Sequence, residues 1–206
     1  MSTKSIAEIV DFWLGASLEK PEAAFARRDW WYRGGPGVDQ EIGDRFGALV
    51  VRACAGALMD WSTTSNGALA LILLLDQFTR NLHRHTTQAY AGDAHAFDIV
   101  NGAIGQGLDW ALHPVARIWL YHPFHHSERI EQQDRGVELL HGLVSDAPGG
   151  WRPYIQRSIE GWSRHRDIVA RFGRFPHRNQ VLGRTSTDQE RRFLDNNGES
   201  FGQGPK

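Results

Sequence analysis

The stretch "LALILLLDQFTRNLHRH", Leu69 to His85, constrains this chain more than any other. Seven consecutive apolar residues, Leu69 to Leu75, give a helix that is apolar on every side, and such a helix has to be surrounded by other helices. The run is far shorter than the roughly 20 residues that cross a bilayer, so it belongs at the centre of a globular core. No glycine or proline separates it from Asp76, Gln77, Arg80, Asn81 and Arg84. On a helix Asp76 and Arg80 are neighbours, as are Gln77 and Asn81 and then Arg80 and Arg84, so these polar groups form two adjacent stripes over the last turns. Either they are buried and paired, or they line a site.

Helical spacing of apolar residues extends over most of the chain. Ile6, Ile9, Val10 and Trp13 form one stripe, and Ser5 with Glu8 has the capping-box spacing at its start. "LEKPEAAFARRDWWYRGGPG" reads as a loop with a short aromatic turn, because proline and glycines interrupt the pattern. A second helix is predicted from Asp39 as its N-cap, with Ile42, Phe46, Val50 and Ala53 inward. After the central third helix, a fourth is predicted over 93–106 and a fifth from Pro114 that stops before Pro123. A sixth covers 127–145, and a seventh runs from about Pro153 to a stop at Gly173. Thr187 and Glu190 form a capping box for a short last helix, and the tail from about 196 reads as frayed. No run alternates with period two between hairpin turns, so the expected fold is a single all-α domain over 1–206, of about eight helices packed as antiparallel neighbours.

Net charge is −1, so no global field draws the protein to nucleic acid or to anionic lipid. Cys54 is the only cysteine, which excludes an internal disulfide or a cysteine metal cluster and points to a reducing, cytoplasmic setting. The N-terminal residues lack the apolar run of a signal peptide. The eight tryptophans are read as large core residues.

Two further stretches carry polar residues among buried-looking neighbours. "YHPFHHSERIEQQD", 121–134, holds His122, His125, His126, Glu128 and Asp134. Imidazole and carboxylate suit a metal, but Pro123 forces a turn, Ser127 is placed to cap the next helix, and no HExxH pair is present, so no metal is expected. "RFGRFPHRNQVLGR", 171–184, holds Arg174, His177, Arg178, Asn179 and Arg184. From Arg164 to Arg192 there are eight arginines against three acids, the one locally basic region. A nucleic-acid surface would want lysines, a wider basic face and exposed aromatics, so an anion site or a braced loop is the expectation. The glycine-rich phosphate loops and the GxSxG elbow are absent.

These segments together, "LALILLLDQFTRN", "YHPFHHSE" with "QQD", and "RFGRFPHRNQVLGRTSTDQE", resemble in this order the signature segments of a bacterial family known as domain-of-unknown-function family 924. "DFWLG", "WWYRGGPGVDQEIGDRF", "AGALMDW" and "FLD" are similar to it as well. Thr79 stands where that pattern usually has proline, and His122 and His125 differ within their motif, which leaves His126 as the histidine for any shared role. The resemblance implies a TPR-like, right-handed superhelix of antiparallel helix pairs, and it implies no activity.

Two functional expectations follow. In the first the protein is a binding module without a cofactor, whose polar cavity holds an anionic small molecule or the acidic end of a peptide. Arg80, Arg84, Arg174, Arg178 and Arg184 supply the charge, while Gln77, Asn81 and Asn179 orient the ligand. In the second it is a hydrolase or lyase using Asp76, with His126, Glu128 or His177, as acid–base groups. A purely structural role, in which the three stretches pair with each other, is the third possibility. Asp76 separates them: sealed against Arg80 it is architecture, and facing a cavity it is a candidate for function.

Overall fold

The computed structural model of the protein describes residues 2–196, and among them every regular element is helical. The predicted frayed tail lies, but for Asn196, outside the described residues. Besides short 3-10 turns, the described residues form ten helices: α1 Ser2–Leu14, α2 Pro21–Arg33, α3 Gly35–Cys54, α4 from Ser65–Ile72 through Leu73–Phe78 to Thr79–Leu82, α5 Asp93–Gly105, α6 Pro114–Leu120, α7 His122–His126, α8 Ile130–Asp146, α9 Arg152–Phe172 and α10 Asp188–Asp195. The two beyond the expected eight are α2, read from sequence as a loop, and the short α7 after the Pro123 boundary.

α2 departs from the loop reading for a tertiary reason. It buries only Ala24 and Trp31, so it lacks the apolar stripe that announces a helix. What fixes it is the end of α1: Arg27 Nε and Trp31 Nε1 each donate to the Trp13 carbonyl at 2.8 Å, and Arg27 Nη2 donates to that of Phe12. Carbonyls left open at the C-terminus of α1 are thus satisfied by side chains of α2. Two predicted starts also move. α1 already includes Ser5, and α3 begins at Gly35 with a proline in its first turn, which leaves Asp39 inside the helix. The capping box at Thr187 and Glu190 forms as predicted, and Gly173, at φ +68°, ends α9.

α4 is the central element. Residues 68–75 are fully buried, and the helix packs against α1, α3, α5 and α6. Six of the eight tryptophans are buried, with Trp13 and Trp119 edge to face at 5.2 Å. Trp110 departs from the core reading: it is 65% exposed, beneath the Arg117 guanidinium. A separate small core of Ile168, Val169 and Phe175, with Ile130, Phe172 and Phe193 against it, anchors the basic loop after α9.

Midway along α4 the backbone changes to a π-helix over Leu73–Phe78, the segment that contains Asp76 and Gln77. Single π turns occur often at functional sites, because they re-aim side chains without ending the helix. Gly92, just before α5, sits on this turn: a Cβ there would lie 2.2 Å from the Leu75 carbonyl oxygen. Gly92→Ala is therefore expected to push α5 away and to destabilise the fold by on the order of 1–3 kcal/mol in urea unfolding. Gly47→Ala, with no atom within 4 Å of the added carbon, is the control and is expected to be neutral or slightly stabilising.

Candidate functional site

The polar end of α4, helix α7 and the loop after α9 meet around two cavities of about 420 and 450 Å³. Tyr90, His126 and Arg178 line both and form the wall between them. The first cavity is cationic. Gln77, Arg80 and Asn81 come from α4, Arg84 from the turn after it, His126 from α7, and His177 and Arg178 from the loop. Arg28 and Arg33 from α2, and Arg157 and Arg164 from α9, add four more guanidiniums, and Asp29 is the one carboxylate in its lining. The second cavity has the opposite character, with Asp76, Asp93, Asp98 and Glu128 in its walls.

Asp76 is 1% exposed and holds three groups together. His126 Nδ1 lies 2.8 and 2.9 Å from its two oxygens, Arg80 Nη1 lies 3.2 Å away, and Gln77 Nε2 donates to it. A carboxylate only accepts here, so Nδ1 carries the proton and Nε2 is the bare nitrogen of a ring that lines both cavities. That nitrogen has no hydrogen-bond partner among the described residues. Burial, and then the charge of Arg80, lower the His126 pKa well below the usual imidazole range, so the ring is neutral with its Nε2 lone pair available. Arg80 also meets Asp93 at 3.0 and 3.1 Å and donates to the Asp76 carbonyl at 2.6 Å. Burial opposes its charge, but the carboxylates of Asp76 and Asp93 outweigh that and raise its pKa.

Arg178 is different. It is 6% exposed, its Nε is sealed without a partner, and no carboxylate among the described residues comes within ion-pair distance. Its guanidinium rests between the rings of Phe175 and Tyr90, at 4.4 and 4.9 Å from their centroids. Burial, then the neighbouring Arg80, lower its pKa from the ordinary arginine value. The carboxylates of Asp93 and Glu128 act on it only from beyond ion-pair distance; a buried cation held this way is costly to keep, and one that lines a cavity is a place for an anion.

Around these two groups lies a wall of neutral histidines. His122 is stacked on Trp119 at 4.3 Å and donates from Nδ1 to the Ile118 carbonyl, and burial lowers its pKa to about 4. His125 is stacked on Trp162 and touches His165, with ring centroids 3.7 Å apart, and burial holds both far below the usual range. His177 is lowered to about 3 by burial and then by Arg178.

Several predicted site residues sit elsewhere or act differently. Arg174 is in a bidentate pair with Glu190 at 2.7 and 2.9 Å, and Asn179 donates to Ser186; neither lines a cavity. Arg184 clamps Glu128, which also accepts from the Phe175 backbone N–H at 2.9 Å. Burial opposes the Glu128 charge, but Arg184 and that N–H win and lower its pKa, so Glu128 fastens the loop and is a poor proton donor. Arg84 and Asn81 line the first cavity while both bind Asp39 of α3, at 2.7 Å for Arg84 Nε and for Asn81 Nδ2. Sequence reading took Asp39 for a cap and missed it here. It also missed Arg28, Arg33, Arg157 and Arg164, which look like ordinary solvated helix faces.

Among the described residues no group of three or more His, Cys, Asp or Glu side chains has the arrangement of a metal site, and no helix is long and apolar enough to cross a membrane. No curated protein matches the chain. The solved structure of the protein of unknown function ATU0120 from Agrobacterium tumefaciens is similar to it, with 36% identity and a TM-score of 0.76 over 95% of this chain and 99% of that one. A family model described as "Bacterial protein of unknown function (DUF924)" matches residues 9–198. On that match, which takes in the central helix, the histidine turn and the basic loop, the chain belongs to this bacterial family of unknown function.

Proposed function

We propose that the cationic cavity binds a small anionic molecule. One observation carries this reading: Arg178 is a buried guanidinium at the wall of two cavities and, among the described residues, has no carboxylate within ion-pair distance, although other arginines of the same region do. The arginines of α2 and α9 around the first cavity support it, since they raise the local concentration of anions at its mouth. The acidic end of a peptide is the competing occupant, and a cavity of about 420 Å³ suits a small molecule better. In this reading the helix pairs wind as a TPR-like superhelix whose inner face carries the cavity. The protein works in the cytoplasm, consistent with a single unpaired cysteine.

Inorganic phosphate is the first probe. Isothermal titration is expected to detect its binding at low salt, weakening as ionic strength rises, and Arg178→Ala is expected to reduce affinity at least about tenfold, the loss of a charge-assisted contact of 1.5–3 kcal/mol. Equal binding by the wild type and Arg178→Ala would remove the proposal.

A further inference from the structure

We propose that the same cavity is hydrolytic: His126, held by Asp76, activates water against a phosphate ester bound through Arg178. This rests on the anion-binding reading and extends it from binding to chemistry.

Three observations combine. A carboxylate 1% exposed fixes the orientation and tautomer of a histidine that lines both cavities and keeps its other nitrogen off that carboxylate. That is the relation between orienting acid and general base that activates a hydroxyl or a water in many hydrolases. Next, the base and the unpaired Arg178 line the same two cavities, so a bound anion is brought to the base. Finally, the number of guanidiniums favours phosphate over carboxylate. A phosphoryl group offers three acceptor oxygens and up to two charges, enough to neutralise and be held by several arginines at once, whereas a carboxylate offers two oxygens and a single charge. Phosphoryl transfer is also catalysed largely by positioning and by neutralising charge on these oxygens, which arginines supply.

The step balances with water alone. The Nε2 lone pair of His126 takes a proton from water as the water oxygen forms a bond to phosphorus. The bond from phosphorus to the ester oxygen, on the opposite side, breaks with its electron pair; the departing oxygen takes a proton from solvent and Nε2 gives its own up to solvent, leaving an alcohol and phosphate. Asp76 is a positioning residue here; it stabilises the transient imidazolium through Nδ1 and does not touch the substrate. Arg80, already held by Asp76 and Asp93, keeps that carboxylate in place.

The test combines turnover and binding on the full chain. The probes are p-nitrophenyl phosphate and bis(p-nitrophenyl) phosphate for hydrolysis and inorganic phosphate for binding. The wild type is expected to release p-nitrophenol from at least one ester above the buffer rate. His126→Gln is expected to lose about 10²-fold or more in kcat, the usual contribution of a general base, while its phosphate affinity stays within about threefold. Asp76→Asn is expected to lower kcat with KM little changed, and nitrogen NMR of the wild type is expected to find the His126 proton on Nδ1. Phosphate binding without turnover of either ester, or turnover by His126→Gln equal to wild type, overturns hydrolysis and leaves anion binding standing. Absence of phosphate binding overturns both.

Discussion

Lowering the pH from 7.5 to 5 is expected to unfold this protein. His122, His125, His165 and His177 are buried near the cavities and His126 is half-buried there, and desolvation holds each below the ordinary imidazole pKa, to about 4 for His122 and about 3 for His177. In the unfolded chain the same side chains titrate near 6.5. The unfolded state therefore binds more protons once the pH drops below about 6.5, and folding stability is full above that value and falls as the pH approaches the folded pKa values. Each such histidine contributes a slope of about 1.4 kcal/mol per pH unit, so five acting together give up to about 7. A typical domain has only about 5–15 kcal/mol in total. Thermal unfolding followed by circular dichroism should give a midpoint that is flat from pH 8 to 7, falls steeply below 6.5 and disappears near pH 5. A midpoint that moved only a few degrees over that range would mean that the folded cluster accepts protons easily.

Replacing Asp76 by alanine should be the most damaging single change at the site. The substitution deprives His126, Gln77 and Arg80 of a shared partner at once, and Arg80 is itself 8% exposed. Breaking a buried charged pair by removing one partner costs about 3–5 kcal/mol, because the other charge stays desolvated. Arg80 retains Asp93, which places the expected loss at the lower end. Glu138→Ala, which removes the partner of the exposed Arg135, should cost under about 1 kcal/mol. Urea midpoints at constant m-value compare the two. Similar losses for both would show that the Asp76 cluster is solvated and contributes no more than a surface pair.

Much of the helical architecture was legible because it depends on local rules. The apolar run of α4, the stop at Gly173 and the capping box at Thr187 are signals that neighbours in sequence supply to each other. α2 escaped because its helix is stabilised by Arg27 and Trp31 reaching the end of α1, a contact no periodicity records. Asp39 escaped because an aspartate near a helix start looks the same whether it caps the helix or, as here, crosses to Arg84 and Asn81 of another. The basic loop shows the same limit at the site. Its arginines are alike in the letters, yet Arg174 and Arg184 find carboxylates at Glu190 and Glu128, the latter 56 positions away, and Arg178 finds none within ion-pair distance among the described residues. Which arginine of a cluster stays unpaired is decided by long-range packing, and that is what distinguishes a brace from a binding group.

The π turn of α4 has a consequence for how the site tolerates change in chain length. Each π-type hydrogen bond encloses one residue more than an α-type bond, so Leu73–Phe78 sets the phase of everything after it. Adding one more residue there, which the existing π turn cannot absorb, would rotate Arg80, Asn81 and Arg84 by about 100° around the helix axis. They would then turn away from Asp93 and Asp39 together, and the cavity wall would lose its order without any polar residue having been substituted. The site is specified by a count of residues along one helix as well as by their identities.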